Sequence, residues 1–282
     1  GGSSVLNGSP PIGQILEERC REHGLSETEV YNFGVISSVS SQELARVVFE
    51  ISGMEPDLVI FYNGSNDLFQ PLEWDPRPGY PFNYLAFEFN PTLASDPSDY
   101  PTFAMFAYGS NILRKVFQPW FVEAFVPLDE IRREANWKSD AWQTEIAEIY
   151  TRNLLLADNF SKSIGARFMG FFQPVVYFKD ELTEEEEEFG NKPDERKHAF
   201  KMRDKVLASM DKLRKTSSLK AIDASSFFER EEEVVFTDYV HTNQKAKKSM
   251  AGFIFEKLIE HGMLDRKGGG TGDEPPMKPE GN

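Results

Sequence analysis

The apolar positions of this chain change period several times along its length, and the changes mark its elements. Between Pro10 and His23, Ile12, Ile15 and Leu16 recur near one helical face with charges opposite, which predicts an amphipathic helix. Residues 29–33 predict a short strand. Ser40 and Ser41 ahead of an amphipathic stretch to Phe49 predict a capped helix start. Residues 56–62, Pro-Asp-Leu-Val-Ile-Phe-Tyr, form a continuous apolar run of the kind buried on both faces of a parallel sheet. Further on, helical patterns over 141–163, 196–216 and 244–261 alternate with strand-like runs over 166–174 and 220–224. This alternation predicts a doubly wound α/β fold, and no internal repeat is visible.

Two stretches interrupt the pattern. Residues 68–137 are rich in Pro, Phe, Tyr and Trp, and read as a long irregular insertion over the fold, helical across 111–125. Residues 180–188 form an acidic run that reads as a solvated, mobile surface segment. The last residues, 267–282, are rich in Gly, Pro and charge and read as a disordered tail. The expected organisation is one domain over 1–266, carrying the insertion, followed by that tail.

Composition narrows the function classes. An apolar fraction of 40% over 282 residues supports a sizeable core. A net charge of −15 argues against a nucleic-acid partner, because phosphate repels such a surface. The single Cys20 excludes an intrachain disulfide framework and a Cys-rich metal site; its helical setting makes it a packed thiol. No run of about eighteen apolar residues exists to form a transmembrane helix. The chain begins at Gly1 inside a candidate motif, so the lack of a leader says nothing about its compartment.

The candidate chemistry lies in three short segments. Gly1-Gly2-Ser3-Ser4 offers a serine, which needs a base to become a nucleophile. Of the four histidines, His23, His198 and His261 sit in or at the ends of helical patterns and read as surface or capping residues. His241 instead lies in a loop, three residues after Asp238, where a carboxylate fixes the imidazole tautomer. Asn66, in Asn63-Gly64-Ser65-Asn66-Asp67, follows the 56–62 strand, and ligands of open α/β sheets bind at the carboxyl ends of strands. Its amide suits a developing oxyanion. Each segment also has a plain reading: a flexible Gly-rich end, a helix start capped by Thr242 or Asn243, and a turn asparagine.

Taken together and in this order, the segments resemble the SGNH (GDSL-type) hydrolases. Gly1-Gly2-Ser3 resembles the family's first block, Gly-Asp-Ser, with glycine in second place. Gly64-Ser65-Asn66-Asp67 matches its Gly-x-Asn-Asp block, and Asp238-Tyr239-Val240-His241 its Asp-x-x-His block. The resemblance implies a three-layer α/β/α sandwich with a mainly parallel, flavodoxin-like sheet. It also implies Ser3 as nucleophile, His241 as general base and Asp238 as its orienter. The Ser3 backbone N–H, Asn66 and a second-block residue would form the oxyanion hole. Ser37 occupies that second-block position, where the family has glycine, and Gly34 falls three residues early; a site needing unusual backbone angles there would strain Ser37. Gly64, Trp74, Phe82 and Tyr84 are the expected substrate-binding residues, the last three from the aromatic insertion.

The implied reaction is hydrolysis of a carboxylic ester through an acyl-serine, with a small-molecule, glycan or lipid ester as substrate and no metal or organic cofactor. A catalytically inactive binding module and an acyltransferase acting on a sugar hydroxyl remain as alternatives. The family's nucleophile follows a central strand, and nothing precedes Gly1 here, so about five or more apolar residues are expected ahead of it in the active form.

Overall fold

The computed structural model describes residues 1–6, 8–81, 110 and 128–264. The expected helix over 111–125 and the expected tail lie outside the described residues, as does most of the aromatic insertion. The apolar runs form a parallel sheet in the order β1 (Leu58–Asn63), β2 (Arg167–Phe172), β3 (Ala221–Asp223). Leu58 pairs with Arg167 and Asn63 with Phe172, and Gly170–Phe172 of β2 pair with all of β3. Parallel neighbours need long crossovers, and helices supply them on both faces. One face carries α2 (Ile12–Glu22) against α9 (Gln244–Glu260). The other carries α3 (Ser40–Phe49), α6 (Asp140–Ser163) and α8 (Pro193–Arg214). The architecture is therefore the three-layer α/β/α arrangement. Shorter helical elements are α1 (Ser3–Leu6), α4 (Ser65–Glu73), α5 (Leu128–Glu134) and α7 (Glu184–Gly190).

β2 is the axis of the core because its successive side chains point to opposite layers. Phe172 meets the Tyr150 ring of α6 at 5.8 Å, and Phe171 meets Phe253 of α9 at 6.4 Å. Tyr150, Phe171 and Phe172 are buried, and each contributes about 1.5–3 kcal/mol by leaving water. In α6, Trp142, Ile146, Tyr150, Leu154 and Ala157 recur at helical spacing and are all buried. Ser139 accepts from Trp142 N at 3.1 Å and fixes where α6 starts.

Four expectations are revised. Residues 29–33 form no strand. Their backbone groups bond to side chains instead, with Val30 N donating to Glu17 Oε2 (2.9 Å) and Phe33 O accepting from Arg46 Nη1 (2.7 Å). The stretch that begins at Leu68 is not irregular from its start, because α4 runs through Leu68 to Glu73. The acidic run is not a solvated coil: residues 184–190 are helical and Glu186 is fully buried. Finally, neither Ser40 nor Ser41 caps α3 with its own side chain. Val39 is the N-cap residue, and the free N–H of Ser40 is met by Asp67 from α4.

The edge of β1 away from β2 has no strand beside it among the described residues. Gly1 packs at the end of that edge: a Cβ on Gly1 would lie 2.4 Å from Tyr62 O, and Gly1 O accepts from Val35 N at 3.0 Å. An added strand of about five apolar residues ahead of Gly1 is expected to pair with β1. It would satisfy a row of edge N–H and C=O groups. The expected outcome is a higher melting temperature than that of the 282-residue chain. An unchanged or lower value would contradict the expectation.

Candidate active site

Ser3 opens α1 and lies 238 positions from His241 in sequence, yet its Oγ is 2.7 Å from His241 Nε2. The other ring nitrogen, Nδ1, is 2.6 Å from Asp238 Oδ2. Asp238 Oδ1 accepts from the backbone N–H groups of Val240 (2.9 Å) and His241 (2.8 Å), so the carboxylate folds the loop that carries its own partner. Burial pushes the Asp238 carboxyl up, but the bonds from His241 and from these amides outweigh it and hold it at about 2. Asp238 is thus ionised at neutral pH. Asn243 caps α9 by accepting from Ala246 N (2.9 Å), so the helix-start reading of this segment and the Asp–His pair coexist.

The loop is closed by an antiparallel bridge between Phe236 and Thr242 and by Thr237 N donating to His241 O at 2.8 Å. Its far side is held by Val176 N donating to Tyr239 O at 2.9 Å. Ser4 points elsewhere, its Oγ donating to Gln173 Oε1 at 3.2 Å.

A cavity of about 310 Å³ opens over Ser3 and His241, lined also by Ile36, Ser37, Asn66, Gln70, Glu73, Trp74 and Tyr239. Positions 66, 70, 73 and 74 recur at helical spacing, so one face of α4 supplies a wall. Two amides on that face grip the opposite wall: Asn66 Nδ2 donates to Ser38 O at 2.7 Å and Gln70 Nε2 to Ser37 O at 2.8 Å. Between them Ser37 adopts φ +59°, the left-handed conformation that costs a non-glycine residue about 1 kcal/mol. The strain anticipated for a serine in the second block is present, and the two amide bonds hold it. Gly2 is needed for contact: a Cβ there would lie 2.6 Å from Asn66 Nδ2. A side chain at this position would displace the Asn66 amide.

The remaining expected site residues divide. Trp74 lines the cavity and is half-exposed. Gly64 does not line it; at φ +114° it sits where a Cβ would strike the Phe172 ring at 2.5 Å, so its role is to let β1 turn into α4. Phe82 and Tyr84 lie outside the described residues. His198 is buried, not a surface residue: its Nε2 lies 3.0 Å from Leu68 O and its ring packs by Phe69 and Trp142, with burial lowering its pKa. Gln70, Glu73, Ile36 and Tyr239 were missed in the sequence. The first two were legible as one face of a helix from Asn66, had the stretch after Leu68 not read as irregular. Burial first, then the Glu195 charge, raise the Glu73 carboxyl against the opposing pull of Lys192.

Beneath the cavity lies a buried polar cluster. Asp67 Oδ1 accepts from Ser40 N (3.0 Å) and Ser40 Oγ (2.5 Å), and Asn153 Nδ2 donates to Ser40 Oγ (2.9 Å). Glu43 accepts from Ser38 Oγ at 2.9 Å and from Asn63 Nδ2. Burial, with a further push from the Glu43 charge, raises Asp67 to about 7 despite its bonds to Ser40. Among the described residues, no group of three or more His, Cys, Asp or Glu is placed to hold a metal ion, and no helix is long and apolar enough to cross a membrane.

No family model matches the chain, and no curated protein matches it. Among solved structures, one titled "Crystal structure of an acetyl xylan esterase AlAXEase" superposes on 91% of this chain and 96% of its own, at 11% identity and a TM-score of 0.49. A likeness that distant assigns neither residues nor substrate.

The Asp67 cluster gives a signed prediction. A carboxyl raised in the folded state contributes stability that is present below its unfolded value and lost as pH rises through about 7. Asp67→Asn keeps an acceptor for Ser40 N–H and removes the titration. The melting temperature of the variant relative to the parent should therefore rise between about pH 4 and pH 7. A difference that does not vary with pH would contradict the assignment.

Proposed function

We propose that this chain is a serine hydrolase that cleaves carboxylic esters through an acyl-serine intermediate. The single observation that carries the reading is the continuous relay Ser3–His241–Asp238, with contacts of 2.7 and 2.6 Å, at the floor of a cavity. Such a relay is what a serine needs to attack a carbonyl at neutral pH. An idle binding surface has no use for a serine, an imidazole and a carboxylate aligned in this order.

In the proposed sequence His241 Nε2 takes the Ser3 Oγ proton as Oγ attacks the ester carbonyl. Asp238 keeps Nδ1 protonated and stabilises the imidazolium without itself taking the proton. Negative charge moves to the carbonyl oxygen, where the Ser3 backbone N–H, the Ser37 backbone N–H and the second N–H of the Asn66 amide are the proposed donors. The bond of Asn66 to Ser38 O supports this role, because it fixes the amide before substrate arrives and removes a reorganisation cost from the reaction. His241 then returns the proton to the leaving alkoxide, and the alcohol departs. Water, deprotonated by His241, releases the acid and restores Ser3.

The cavity supports an uncharged substrate. Glu73 brings a carboxyl into the lining of the same cavity as Ser3, which disfavours acids and phosphate esters, while Trp74 and Ile36 offer half-exposed and exposed apolar surface there. A short acyl group on a neutral or hydroxyl-bearing alcohol fits both features.

Kinetics on small p-nitrophenyl esters test the assignment. Ser3→Ala and His241→Ala should each lower kcat/KM by ~10³-fold or more, with the double variant little worse than either, because the two residues act in one step. Ser4→Ala should change little. Asn66→Ala should lower kcat by ~10²–10³ with KM nearly constant. Additive losses in the double variant, or a Ser3→Ala protein as active as its parent, would overturn the mechanism.

A further inference from the structure

Glu186 lies in the middle of the acidic run, yet it is fully buried and every oxygen is engaged. Oε2 accepts from Lys179 Nζ (2.5 Å) and Thr183 N (3.2 Å). Oε1 accepts from two successive backbone amides, Val235 N and Phe236 N, both at 2.9 Å. Lys179, equally buried, gives a second N–H to Glu233 O at 3.0 Å. One buried ion pair therefore fixes three backbone groups between 233 and 236. A buried pair contributes little net stability, since desolvation offsets the attraction. Two consecutive amides converging on one oxygen do, however, select a single backbone conformation.

The residue so fixed matters. Phe236 is the one that bridges Thr242 and closes the loop holding Asp238 and His241. We propose that Glu186, held in place by Lys179, is a positioning residue for the Asp238–His241 loop, setting its backbone so that the imidazole meets Ser3. It touches neither substrate nor the reacting atoms. Burial alone would raise the Glu186 carboxyl, but the bonds from Lys179 and the three amides bring it below its usual value, in keeping with a permanently charged anchor. The proposal rests on the hydrolase reading above, and one readout is independent of that reading.

The experiment compares the full chain with Glu186→Met and with Lys179→Met/Glu186→Met, which both remove the acceptor for Val235 N and Phe236 N, the latter leaving no unpaired buried charge. Melting temperature, kcat and KM on p-nitrophenyl acetate, and the proton resonance of His241 Nδ1–H are measured. The expected result is a kcat lower by about 10- to 100-fold at unchanged KM in both variants. The double variant should melt above the single one, because no buried charge is left unpaired, and the low-field Nδ1–H signal should broaden or move in both. A purely structural role would lower the melting temperature and leave kcat of the folded protein and the resonance as they were. Parental kcat and an unaltered resonance in the folded double variant would overturn the proposal. Should the parent cleave no ester, the hydrolase reading fails and the resonance alone decides: altered, it upholds the positioning role; unaltered, it overturns it.

Discussion

The site depends on one buried contact, the carboxyl of Asp67 on the backbone N–H and hydroxyl of Ser40. The N-cap residue of helix α3, Val39, has no acceptor on its side chain; Gln42 accepts from Val39 N, and Asp67 supplies the acceptor for Ser40 N from a neighbouring helix. A cap of this kind contributes about 1 kcal/mol, but its position matters more than its size. It joins the start of α3 to the start of α4, and the segment between Ile36 and Val39 is suspended from that joint. Asn66 and Gln70, on the face of α4 next to Asp67, then fix the Ser37 and Ser38 carbonyls. Gly2 packs against Asn66 with no room for a side chain, which places Ser3. The nucleophile candidate and the oxyanion candidates are thus located by the same few bonds.

The other half of the site is built separately. Asp238 and His241 sit on a loop whose base is bonded to Glu186 and Lys179 and whose tip is bonded to Val176, just past the end of β2. The two halves meet through the Ser3–His241 contact and through the Tyr239 ring, which packs edge-on against Phe69 of α4. This division explains why the chain carries two buried clusters of charge, one under each wall. Each fixes a loop that the apolar core, which packs side chains, does not direct.

Legibility from sequence followed the range of the interactions. β1, β2 and α6 were plain, because a run such as Leu58–Tyr62 or the spacing of Trp142, Ile146 and Tyr150 carries its own period. Ser3, Asn66, Asp238 and His241 were legible as motifs, and the structure brings all four together. Whatever depends on a partner far along the chain was hidden. Residues 29–33 have strand-like composition but no neighbour to pair with, so their backbone bonds go to Glu17 and Arg46. Glu186 resembles its exposed neighbours, and only the fold shows that Val235 and Phe236 lie above it. Gln70 and Glu73 were concealed by the aromatic stretch that follows them, although their spacing from Asn66 was helical.

The central claim is that Ser3 is an activated nucleophile, and the most direct measurement of it is covalent. The intact chain is treated with a fluorophosphonate and the adduct located by peptide mass spectrometry. The account predicts a single phosphonyl group on Ser3, absent from Ser4, with labelling strongly slowed in His241→Ala because the hydroxyl then has no base. A chain that stays unlabelled, that is labelled on another residue, or that is labelled equally fast without His241 would contradict it.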